Sequence, residues 1–363
     1  MGGQWLRSYG VPASRHLNLR VPALPSAEDT GRHGIYYHLT FHDLQASNHL
    51  TMFPGSAGFL KQEVESALAA GADDYLLLNC GNIRPHVYTL DVLRELWQAV
   101  TIDTEAHLDS FVRHYYTEGH AGLAELYRTY TEAAPPYGPH ADDLAGEEYY
   151  HHPARRIMGH WLQGRGERPD ERLYWATGEV SFAEQVRHFG QSCERGLARW
   201  KDWTERCDQV IALLGDQDRQ RAVDQLRFDG ELHRSGCEGF MWLCRAYEAY
   251  TEKRYLQAFD YASQSMWSYK EGLQALRDSE HGKWEYFYRA DWLTNIESTV
   301  SNVDTVRRFL RMHGDSPEFF LWYKEYLMPE TEKHIYLENT HRNPLSDDEL
   351  ARRLQRYFEQ LEG

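Results

Sequence analysis

Cysteine is scarce in this 363-residue chain, and what there is does not pair up. Cys80, Cys193, Cys207, Cys237 and Cys244 are five, an odd number, with no CxxC spacing among them. Neither a disulfide framework nor a zinc–cysteine site is indicated, and a reducing, cytoplasmic compartment fits best. Basic clusters are missing too: 39 Lys and Arg stand against 55 Asp and Glu, a net charge of −16. Phosphate backbones need a concentrated basic surface, so nucleic acid is not expected as a partner. No apolar run approaches the roughly 18 residues of a membrane helix, and the start Met1-Gly2-Gly3-Gln4-Trp5-Leu6-Arg7 lacks a signal-peptide core. No membrane partner is expected either. Gly-rich phosphate loops, GxSxG elbows, HExxH and Cys–His nucleophile patterns are absent, which leaves nucleotide hydrolysis and serine esterase chemistry unsupported and implies no cofactor.

Aromatic side chains are abundant instead, with 24 Tyr, 11 Trp and 14 Phe. Their faces can stack on sugar rings, but most recur at helical spacing, which predicts core packing. The length suits two domains, because a single core rarely grows past roughly 250 to 300 residues. Residues 1–33 show no sustained period and read as an irregular leader. Ile35 to Phe41 is rich in β-formers; Phe59, Leu60, Val64, Ala67 and Leu68 follow helical spacing up to Gly71; Tyr75 to Leu78 is a second strand; Leu90, Leu93, Leu96 and Trp97 mark another helix. Strand, helix, strand, helix is the grammar of a parallel sheet, and its polar residues gather at the strand ends.

Strand signals vanish after Thr101. Helical segments are expected at about 104–117, 120–133, 181–214, 217–251, 254–278, 282–312, 317–327 and 346–361, with loops at Ala134–Pro139 and Gly164–Asp170 and a loop surface at Tyr149-Tyr150-His151-His152. The expected fold is mainly α with a small α/β part: a partial (β/α) barrel-like segment at 34–101 followed by a helical bundle at 102–363. Tyr247, Tyr250, Tyr255, Ala258, Tyr261 and Ala262 hint at a tetratricopeptide pair, but no 34-residue period supports a solenoid.

Gly34-Ile35-Tyr36-Tyr37-His38-Leu39, a helix ending Ala70-Gly71-Ala72-Asp73, then Leu76-Leu77-Leu78-Asn79-Cys80-Gly81-Asn82-Ile83-Arg84-Pro85 resembles glycoside hydrolase family 115. That family carries Gly-(Val/Ile)-Tyr-Tyr-His-Leu, a helix, and Asn-(Val)-Gly-Asp-(Ile/Leu)-Lys-Pro; Asn82 stands here for its Asp and Arg84 for its Lys. The resemblance is clearest over residues 34–97. It implies α-glucuronidase chemistry with inversion on uronic-acid side chains of plant polysaccharide such as xylan, on a barrel followed by a bundle of five or more helices. It also implies substrate-binding roles for Tyr37, His38, Asn79, Asn82 and Arg84, the last as partner of a uronic carboxylate, since its planar fork can hold two oxygens. An oligosaccharide or a uronic acid is then the expected ligand.

Two carboxyl groups must flank a scissile glycosidic bond, and the acids here are poorly placed. The family's Trp-x-Asp-Asp motif does not precede Gly34, where the acids are Glu28 and Asp29 in a loop-like setting. Asp43 reads as a loop acid or a sugar-binding carboxylate, and Asp91 as a first-turn helix charge; the catalytic residues stay unassigned. His38, His42 and Asp43 lack a third histidine at metal spacing, so no metal site is expected. Two strand–helix units fall far short of a barrel of roughly 250 residues. The expectation is an N-terminally incomplete enzyme, or a homo-oligomer, with a non-catalytic carbohydrate-binding or helical interaction protein as the alternative. Trp284, Phe287, Tyr288 and Trp292 recur at i, i+3, i+4 and i+8, which predicts one buried helical stripe. The resemblance implies instead that Lys283 and Trp284 face the barrel and help close its pocket.

Overall fold

The computed structural model describes residues 7–9, 31–40, 45–289, 291, 293–315, 320–333 and 345–362. Glu28, Asp29, His42, Asp43 and Trp292 lie outside them. Three parallel strands, β1 (Arg7–Tyr9), β2 (His33–His38) and β3 (Leu76–Asn79), form one sheet in chain order. Ser8 faces Gly34, Ile35 faces Leu76, and His38 faces Asn79. Parallel strands cannot be joined by a tight hairpin. Helix α1 (Ala57–Ala69) provides the crossover from β2 to β3, started by Ser56, whose hydroxyl accepts from Phe59 N at 3.1 Å. It ends before Gly71, whose φ of +85° suits glycine.

Helices make up nearly all the rest: α2 (Val87–Ala99), α3 (Thr104–Tyr115), α4 (His120–Ala133), α5 (Glu148–Leu162), α6 (Tyr174–Thr177), α7 (Phe182–Ile211), α8 (Asp216–Ala222), α9 (Phe228–Thr251), α10 (Tyr255–Asp278), α11 (Ile296–Arg311), α12 (Glu330–Lys333) and α13 (Asp347–Glu362). The fold is mainly α with a small α/β part. A π turn at Val223–Arg227 joins α8 to α9, so the segment read as one helix at 217–251 carries an extra residue in that turn.

Three readings of the sequence need correction. The irregular leader contains β1, three residues that are too short to show alternation and are held by backbone pairing to β2. The loop surface at Tyr149–His152 belongs to α5, and Tyr149, Tyr150 and His151 are buried. Ala154, Ile157, Met158 and Trp161 continue that buried face at helical spacing; Pro153 lies inside the helix, where it cannot donate to the Tyr149 carbonyl. The helix expected over 282–312 begins only at Ile296: Gly282–Trp284 is a short 3₁₀ turn, followed by turns to Arg289. A helical spacing of aromatics is compatible with such turns, because Trp284 and Tyr288 both pack against Arg84.

The chain divides into two compact units that do not follow the boundary expected near residue 101. The first comprises residues 1–152, 195–234 and 275–294, the second 153–194, 235–274 and 295–363. In the first, the Trp200 ring stacks on His233 at 4.3 Å, and the Tyr130 hydroxyl meets His233 Nε2 at 2.9 Å. Burial drives the His233 imidazole down to about 3, so it is neutral. In the second, Trp161, Phe182 and Tyr247 interlock edge to face, and Gly239 lets the Tyr269 ring approach where a Cβ would lie 2.7 Å away. None of the five cysteines is in a disulfide.

Candidate functional site

The sheet carries its candidate residues on two faces. Tyr36 and His38 share one, their rings 4.5 Å apart edge to face, and Asn79 Nδ2 donates to the Tyr36 hydroxyl at 3.0 Å. Tyr37, one residue on, points the other way, as alternation requires. It is fully buried, its hydroxyl has no hydrogen-bond partner, and burial, with Glu63 and Asp142 nearby, raises its phenol well above the ordinary value. Tyr37 therefore separates from the rest of the set. His38 Nδ1 lies 3.4 Å from Thr40 O, and burial lowers its imidazole pKa.

After β3 the chain turns through Gly81, at a φ of +54°, while Asn79 Oδ1 accepts from Gly81 N at 3.2 Å. Asn82 Oδ1 then accepts from Arg84 N at 3.1 Å, just ahead of the 3₁₀ turn Arg84–His86. Behind it the Thr40 hydroxyl and His86 Nε2 lie 2.8 Å apart, with His86 driven to about 3 by burial. These turns place Gly81 and Asn82 in the wall of a cavity of about 180 Å³, completed by His49, Leu50, Phe287, Tyr288, Asp291 and Leu293. Phe287 is 38% exposed, whereas Tyr288 is buried, its phenol raised by that burial and opposed by Arg84 and Asn82. Phe287 and Tyr288 thus line the cavity from turns and not from a buried helical stripe, and Lys283 and Trp284 are not among its lining residues.

Arg84 is 5% exposed and does not line the cavity. Its Nη2 lies 3.2 Å from Asp224 Oδ1, and its Cζ sits 5.2 Å from the Trp284 ring centre and 5.5 Å from that of Tyr288. Its expected role as direct partner of a uronic carboxylate does not fit this placement.

Sequence reasoning missed two carboxylates entirely. Glu147 is buried and accepts from His49 N at 2.5 Å, Leu50 N at 2.9 Å, the Thr51 hydroxyl at 2.6 Å and the Thr294 hydroxyl at 3.2 Å. Asp229, also buried, accepts from Met52 N at 2.7 Å, while its Oδ1 has no hydrogen-bond partner. Burial, reinforced by Glu147 and opposed by Arg84, pushes the Asp229 carboxyl well above the ordinary carboxylate range. The available signal was their helical company: Leu226, Asp229, Leu232 and His233 occupy one buried face. An acid in such a stripe is either paired or protonated.

Among the described residues, one cluster has metal-ligating chemistry. Asp91, Glu95 and His107 bring three ligand atoms within 4.8 Å of one another across α2 and α3. Asp91 is therefore past the first turn of its helix and not the dipole-compensating charge expected. Arg94 pairs with Asp91 at 2.9 Å and approaches Glu95 at 3.8 Å, and His107 Nδ1 is buried without the acceptor that usually orients a ligating imidazole. A cation already occupies the charge, so the cluster reads as an interhelical ion network.

Comparison with known proteins falls on the same segment. Residues 14–136, roughly a third of the chain, match the model of glycosyl hydrolase family 115. No curated protein matches. Among solved structures, a family GH115 4-O-methyl-α-glucuronidase with specificity for decorated arabinogalactans is similar over 78% of this chain at 12% identity, with a TM-score of 0.48. The chain spans 33% of that structure's length.

Proposed function

We propose that this chain, whose residues 14–136 match the model of glycosyl hydrolase family 115, recognises a saccharide bearing a uronic acid at the carboxyl ends of β2 and β3. The observation that carries the reading is the cavity itself. It sets the rings of Phe287 and Tyr288 beside the amide of Asn82 and the carboxyl of Asp291. A sugar has apolar C–H faces and a rim of hydroxyls, which an aromatic wall with a few convergent polar groups accommodates. The uronic acid is the finer part of the proposal and rests on the family resemblance.

Hydrolysis with inversion asks for two carboxyl groups roughly 6.5 to 9.5 Å apart. Asp291 is the one carboxyl among the described residues of the cavity wall. Recognition is accordingly expected to outlast turnover. Calorimetry on the purified chain should give tighter binding of an aldouronic oligosaccharide than of the neutral xylo-oligosaccharide, weakened by Asn82→Ala and Phe287→Ala. Released glucuronic acid, followed chromatographically, should stay at the level of the protein-free control. Equal affinity for the two saccharides would remove the uronic acid from the reading, and no binding of either would remove the saccharide. Release abolished by Asp291→Asn would show that the cavity is a complete catalytic site. Binding without release favours a carbohydrate-binding protein built on the same frame.

A further inference from the structure

We propose that Arg84 is a positioning residue that fastens the aromatic wall of the cavity to the end of β3 and does not itself touch the ligand. The inference rests on the saccharide reading of that cavity. Three kinds of contact converge on one buried cation. Its main chain is fixed on both sides, the amide by Asn82 Oδ1 at 3.1 Å and the carbonyl by Gln225 Nε2 at 3.1 Å. Its guanidinium lies against the Trp284 and Tyr288 rings, and its Nη2 faces Asp224 at 3.2 Å. Asp224 in turn receives His281 Nε2 at 2.9 and 3.0 Å on its two oxygens, and Gln220 Nε2 at 3.2 Å.

The consequence is a closed loop of contacts. Residues 281–288 begin at a histidine held by Asp224 and end at a tyrosine held by Arg84, and Arg84 and Asp224 hold each other. Asp224 reaches this place from the π turn Val223–Arg227, where the extra residue swings a side chain off the regular helical face. Gln225 on the same turn takes the Arg84 carbonyl. An uncharged residue at 84 would leave Trp284 and Tyr288 without their common cation and Asp224 without its buried partner. A ligand carboxylate aimed at Arg84 would have to displace Asp224 or part the rings.

A ligand-contacting arginine and a positioning one differ in what they discriminate. Loss of a contact to the uronic carboxylate weakens only the acidic ligand; loss of a wall weakens acidic and neutral ligands alike. The test compares the wild-type chain with Arg84→Ala, Arg84→Lys and Trp284→Leu. Calorimetry uses an aldouronic and a neutral xylo-oligosaccharide, and hydrogen exchange read by mass spectrometry follows residues 281–289 and 33–38. Arg84→Ala should weaken both saccharides by the same factor, about tenfold, the loss expected for one desolvated cation–aromatic contact. Exchange should accelerate in 281–289 and stay unchanged in β2. Lysine restores the charge beside Asp224 but not the planar stacking, so Arg84→Lys should recover part of the affinity. Trp284→Leu should weaken both saccharides on its own and add little in the Arg84→Ala background, because both changes break one unit. Trp284 is only half-buried, so that variant carries the test should Arg84→Ala fail to fold. Selective loss of the acidic ligand, or unaltered exchange in 281–289, would overturn the proposal. If the wild-type chain bound neither saccharide, the saccharide reading would fall while the exchange comparison would still decide whether Arg84 holds the segment.

Discussion

Replacing Glu147 by Ala is expected to cost roughly 3 to 6 kcal/mol of folding stability, the largest single-residue effect in the first unit. Two backbone amides and the hydroxyls of Thr51 and Thr294 converge on this carboxylate. Each buried donor left without an acceptor costs about 1 to 3 kcal/mol. The approach is close enough that Gly146 cannot carry a side chain: an added Cβ would lie 2.3 Å from the Ser47 carbonyl oxygen and 2.7 Å from Asn48 N. Glu147→Gln should cost less, since its amide oxygen still accepts from the backbone. Urea denaturation monitored by tryptophan fluorescence provides the measurement. A loss below about 1 kcal/mol for Glu147→Ala would mean that segment 47–51 is held by something other than this carboxylate.

Asp229→Asn is expected to flatten the dependence of stability on pH. The folded-state pKa of Asp229 is raised well above the ordinary carboxylate range, by burial first and then by Glu147. A folded state that keeps a proton which the unfolded chain has released loses stability as the pH climbs. The group therefore penalises folding from about pH 4 upward, by about 1.4 kcal/mol for every pH unit until its own pKa is passed. Below pH 4 both states are protonated and the penalty vanishes. Other groups tilt the curve the other way: Asp170, Glu231 and Asp348 are held below their ordinary values, against the opposing effect of burial, by Arg156, Arg234 and Arg307. They lose stability on acidification, so the quantity to measure is the difference between wild type and variant. That difference should be near zero at pH 4 and favour the asparagine variant increasingly towards pH 8. A difference independent of pH would show that Asp229 titrates normally.

The amphipathic segments were the most legible part of the chain. His120–Ala133 and Tyr255–Asp278 are found within a residue of where the spacing put them, because each buries one continuous stripe and nothing interrupts the period. The strand–helix–strand unit was legible for the same reason. Where a residue's partner lies far along the chain, the pattern failed. Trp284, Phe287 and Tyr288 show helical spacing yet occupy turns, since Arg84, two hundred positions earlier, organises two of those rings. Glu147 escaped the sequence reading because the donors that satisfy it sit in segment 49–51, far from it along the chain. Of the expected site residues, Asn82 lines the cavity, His38 and Asn79 stand at neighbouring strand ends, Tyr37 turns to the opposite face, and Arg84 lies beside the cavity wall. Strand alternation alone separates Tyr37 from His38, and that much could have been read without coordinates.

The segment that supplies His49 and Leu50 to the cavity has a bearing on the order in which the protein folds. Its amide and hydroxyl donors meet acceptors 96 to 98 residues later in Glu147, and Met52 N meets Asp229 177 residues later. Contacts at such separations close large loops and form slowly, after local helices have already assembled. During synthesis the strands emerge first, but this edge of the cavity must wait until α5 and α9 have left the ribosome. In pulse-labelled refolding, the amides of His49, Leu50 and Met52 should gain protection later than those inside α3 and α4.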